Sequence, residues 1–161
     1  MICVRIILEE TEILSTGDKM NNNKDLLTSV LHTVQMGQTG IRSVKNNAIN
    51  AGLKQELDAQ LQEYDSIEKE ALRLAKNRGW ELKNVNPIVQ QMSRFMSQIQ
   101  LLAGEADSKI AGMLIQGNTR GIILGVKNLN RSEHDDAQIT QLAQRLLNRE
   151  NINIQKSQTY L

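Results

Sequence analysis

Two histidines and a scatter of carboxylates are the residues whose types could do chemistry in this chain. His134 stands in the run Glu133-His134-Asp135-Asp136, where every side chain could bind a cation or exchange a proton. The run comes immediately before a helical pattern. Acidic residues there also suit the positive end of the helix dipole, so a solvated helix start is expected, with a surface metal site as the alternative. His32 lies one position after an apolar seam residue and can turn inward. Glu68 sits near the inward edge of a second helical pattern, and Gln116 lies midway along a later one. His32, Glu68 and Gln116 are therefore the set to which an iron or manganese ion would have to be assigned, although a neutral amide binds iron weakly. The first expectation is that no cofactor binds. No arrangement of Ser, His and Asp with a nearby oxyanion hole can be drawn from the sequence.

The stretch GMLIQGNTRGIILGV, residues 112–126, poses a second chemical question. Residues 112–119 come close to the phosphate-loop spacing G-x-x-x-x-G-K-[ST], but Asn118 stands where lysine would supply the positive charge. The preceding residues do not read as the buried strand such a loop needs. Gly117, Gly121 and Gly125 recur every fourth residue and line one stripe of a helix. With Gly37 in the apolar seam of the first helix, they predict a packing groove where helices approach closely. A small-ligand pocket in the space left by the missing side chains is the alternative.

The elements that position these residues are helices. From Leu27 an apolar seam runs through Val30, Val34, Gly37, Ile41, Val44 and Ala48, with Asp25 as a candidate N-cap and Gly52 as a stop. Leu53, Leu57, Leu61, Tyr64, Ile67, Ala71 and Leu74 share a face of a second helix that ends at Gly79. Pro87 opens a shorter pattern carrying Met92, Phe95 and Met96. Helix resumes near Ala106, carries the glycines and fades near Asn130. Ser132 and Asp135 give a loose cap for a last helix through Ile139, Leu142 and Leu146, continuing towards Ile152 and Ile154. Four long helices with one long middle connection predict an all-α fold, a four-helix bundle with one crossover that carries an extra short helix.

At 161 residues, with 40% hydrophobic and 23% charged residues, the chain suits one soluble domain. A net charge of +1 and 2% aromatics argue against a nucleic-acid surface. Cys3 alone allows no internal disulfide, no apolar run is long enough for a membrane span, and the N-terminus does not read as a signal peptide. A cytoplasmic location is the expectation. Residues 1–23 are expected to be an arm, with Met20 as the native start, and residues 24–158 to be the bundle.

The helix layout, together with KIAGMLIQGNTRGI and AQRLLNRENINI, resembles the ferritin-like superfamily, in particular small bacterial ferritin-like proteins, some related to spore coat proteins. The resemblance implies a bundle that seats two irons between one Glu from each of two helices and Glu-x-x-His from each of the others. Three residues after Glu68 stands Ala71 where His would be, and the first helix offers Gly37 where a ligand would project. The expected protein is thus a ferritin-like bundle without its di-iron centre. It would be a non-catalytic interaction or structural protein, with a spore or stress role allowed by the resemblance. A homodimer is expected, formed through the Met92–Met96 stripe or the outer faces of the glycine-bearing helices.

Overall fold

Polar punctuation sets the ends of the helices. The computed structural model describes residues 22–83, 105–131 and 136–161. Within them run α1 (Asn22–Val44), α2 (Ala51–Asn77), α3 (Ala106–Asn130) and α4 (Ala137–Gln158), with a 3-10 turn at Lys45–Asn47. Asn50 caps α2, its side chain accepting from the backbone N–H of Gly52 and Leu53. Gly52 therefore does not stop the first helix as expected. It lies in the first turn of α2, beneath the Tyr160 hydroxyl. Asp25 is not the cap of α1 but an acidic residue of its first turn, where it still complements the dipole.

Gly79 ends α2 as expected, and its φ of 67° is the reason. Gly79 N–H donates to Lys76 O at 3.1 Å and Trp80 N–H to Ala75 O at 2.9 Å, a Schellman closure that a left-handed residue permits. Asp136 caps α4, accepting from Gln138 N–H and Ile139 N–H. Ser132 and Asp135, the residues expected to cap it, lie outside the described residues, as do Pro87, Met92, Phe95, Met96 and the expected short helix.

Contacts between helix ends fix the topology. Asp107, in the first turn of α3, accepts from Ile49 N–H and Asn50 N–H, so α3 begins at the end of the bundle where α2 begins. Arg78, after α2, pairs with Asp136 before α4 at the opposite end. The helices thus run up, down, down, up, with α2 ending at one end of the bundle and α3 beginning at the other. The most extensive contacts are between α3 and α4 and between α1 and α2. The protein is an all-α four-helix bundle, and its described body has no strand.

The core follows the predicted seams for most of their length. Leu27, Val30, Val34, Ile41, Val44 and Ala48 are buried, together with Leu53, Leu57, Tyr64, Ile67, Ala71 and Leu74. On α4 the apolar line through Ile139, Leu142 and Leu146 is buried, but the continuation differs. Ile152 is exposed, and the inward positions go to Glu150, Asn153 and Ser157. The centre is therefore not wholly apolar.

Candidate functional site

Among the described residues, five of the six buried polar side chains lie on α2, α3 and α4, and the sixth is Gln38 on α1. On α2, helical spacing places Gln60 one turn from Tyr64; on α4, Glu150, Asn153 and Ser157 follow at steps of three and four. α3 supplies Asn118. Each of the five polar residues is at most 4% exposed. Tyr64 Oη donates to Asn118 Oδ1 at 3.0 Å, and Asn153 Nδ2 donates to the same oxygen at 3.3 Å. Asn118 Nδ2 donates to Leu114 O at 2.6 Å, so this amide holds three helices together.

Glu150 occupies the space that Gly121 vacates. A Cβ at Gly121 would collide with the Glu150 carboxylate, and one at Gly125 would meet Leu147 Cδ2 at 2.5 Å. Gly37 makes room for the Tyr64 ring, whose Cε2 lies 2.5 Å from where a Cβ would be. The expected groove is therefore split. Gly37, Gly121 and Gly125 admit side chains from neighbouring helices, whereas Gly117 is exposed and its Cβ position meets nothing within 4 Å. The space beside Gly121 and Gly125 is taken by protein.

Burial dictates the charge of this centre. Removing a carboxylate from water penalises its ionised form, and burial pushes Glu150 up from 4.5 to about 8. The same desolvation, reinforced by the nearby Glu150 charge, pushes the Tyr64 hydroxyl well above its usual range. At neutral pH Glu150 is mostly a neutral acid able to donate a hydrogen bond.

The proposed metal residues do not meet there. His32 Nε2 donates to Lys83 O at 2.8 Å, tying the outer side of α1 to the chain after α2. Glu68 accepts from Gln35 Nε2 at 2.9 Å and from Gln38 Nε2 at 2.8 Å. Gln116 is exposed on α3. Among the described residues no three His, Cys, Asp or Glu side chains gather as a metal-binding group. His134, with Glu133 and Asp135, lies outside the described residues; Asp136 is engaged by the α4 backbone and Arg78.

The buried cluster is the part of the site that sequence reasoning missed. Its trace was present: from Ala143 the inward line steps through Leu146 and Leu147 to positions 150, 153 and 157, all polar. Following periodicity strictly, rather than following apolar residues, finds them.

No known protein family, no curated protein and no solved structure matches this chain. The class that the fold defines is a four-helix bundle with an internal polar cluster. Among the described residues no helix is long and apolar enough to cross a membrane.

Proposed function

We propose that the protein is a non-catalytic helical bundle with an interaction or structural role, and that its partner is a second copy of the chain docking on α3. The observation that carries the proposal is the segment GIILGV, residues 121–126: six consecutive apolar residues span more than one and a half helical turns and cannot all face inward. Gly121 faces the core, while Ile123 is 49% and Val126 42% exposed on the other side. Exposed apolar side chains one turn apart gain by leaving water, and a symmetric pair of such ridges forms a self-complementary contact. The chemistry-bearing groups lend support, because His32, Glu68 and Asp136 are each engaged in holding helices or helix ends.

Sedimentation at micromolar concentration tests the proposal. The wild type is expected at dimer mass, and Ile123→Glu at monomer mass with its helical content unchanged. A wild-type monomer at every concentration removes the dimer. Stoichiometric iron or manganese in protein purified without chelator would remove the metal-free structural role instead, so the two parts fail separately.

A further inference from the structure

The polar cluster between α2 and α4 is unfinished. Gln60 is 3% exposed and Ser157 2% exposed, and neither Gln60 Nε2, Gln60 Oε1 nor Ser157 Oγ has a partner within the protein. Glu150 Oε2 is in the same condition, in a residue 2% exposed. Polar atoms sealed from solvent are almost always hydrogen-bonded, since one left alone has lost its bonds to water and gained none in return.

Helix register brings the residues that carry these atoms into neighbouring turns. Lys156 Nζ reaches Glu56 Oε2 at 2.8 Å, and Arg145 Nη2 reaches Glu63 Oε1 at 2.8 Å, which sets the register of antiparallel α2 against α4. In that register Gln60 stands level with the turn of α4 that holds Glu150 and Asn153, and Ser157 follows one turn further along. Asn153 in turn joins the Tyr64–Asn118 pair.

The chemistry of the unpartnered atoms selects the occupant. Gln60 Nε2 only donates, Gln60 Oε1 only accepts, and the Ser157 hydroxyl does both. A bare cation would leave the amide N–H groups unanswered. An anion would face the amide oxygen and the carboxyl oxygen. An apolar group would satisfy none of them. A molecule that donates and accepts at once, and is small enough for a sealed helix seam, satisfies all of them.

We infer that the α2–α4 seam is an internal hydration site, in which bound water bridges Gln60 and Ser157 and reaches the carboxyl of Glu150. The water completes the hydrogen-bond network begun by Tyr64, Asn118 and Asn153.

Oxygen-17 relaxation dispersion on the full chain counts long-lived internal water without interference from exchanging hydroxyl protons. The wild type is expected to show such water, and Gln60→Leu, which lines the seam with carbon, to lose the amplitude of at least one molecule. A wild type without long-lived water, or equal amplitudes in the two proteins, overturns the inference. If Gln60→Leu does not fold, Ser157→Ala deletes one oxygen from the same site and is read in the same way, with loss expected and unchanged amplitude fatal.

Discussion

Two seams of this bundle bury an amide, and they treat it in opposite ways. Between α1 and α2, Gln38 is buried but donates to Asp65 Oδ1 and Glu68 Oε2, each at 2.8 Å. Those carboxylates stay half-buried at the rim, and Arg42 pairs with Asp65 at 3.4 Å. Between α2 and α4, Gln60 has no protein partner, and the nearby carboxylate, Glu150, is sealed in with it. A carboxylate at the rim can accept hydrogen bonds from an amide while keeping part of its hydration. A carboxylate inside the bundle instead gives up its charge, because desolvation there has no cation to offset it. Residue type is shared between the two seams; depth decides what the residues do.

The largest expected effect comes from titrating the deep seam. Glu150 holds its proton more tightly folded than unfolded, so its contribution to stability is fully present below about pH 4.5. That contribution is lost as pH rises towards about 8. The loss is at most about 1.4 kcal/mol for each pH unit in that window. Glu150→Gln is expected to flatten this part of the stability curve, measured by urea unfolding across pH. A variant that parallels the wild type would place the carboxyl in contact with water.

Filling the notch that admits Glu150 comes next. Gly121→Leu is expected to destabilise the bundle by about 1–3 kcal/mol through overpacking, and Glu150→Ala in the same chain should recover part of the loss. Independent, additive effects would break the assigned contact.

In the rim seam, Gln38→Leu removes the donor to Asp65 and Glu68, and should cost about 1 kcal/mol because water can replace it at both carboxylates. A loss as large as that of Gly121→Leu would erase the distinction between the seams. The smallest effect has the opposite sign. Gly117→Ala meets open space on an exposed helix face, so it should stabilise by up to about 1 kcal/mol in thermal unfolding.

The helix plan was legible because it depends on local periodicity and capping. The seams of α1 and α2, the stop at Gly79 and the extent of α3 all follow from spacing that neighbouring residues share. Gly52 was misjudged because Gly near a helix end suits either a stop or a first turn, and only the capping Asn50 decides between them. The candidate site was less legible. Glu68 was placed near the inward face, and it does face α1, but its partners are two glutamines that spacing alone could not pair with it. The seam of α2 was drawn through Leu61 and not Gln60, and the last helix was continued towards Ile152 and Ile154 and not Asn153 and Ser157.

The sequence by itself determined four amphipathic helices and the stop at Gly79, because each depends on residues within a few positions of one another. Only the tertiary structure decided that Gly121 is a berth for Glu150 while Gly117 faces open space. Both are glycines on one stripe of one helix, but each step of four residues turns about 40° further round the axis, which leaves Gly117 open to solvent and sets Gly121 against one residue of α4. That residue is set by the register of two helices packed side by side, a long-range quantity that no local pattern encodes.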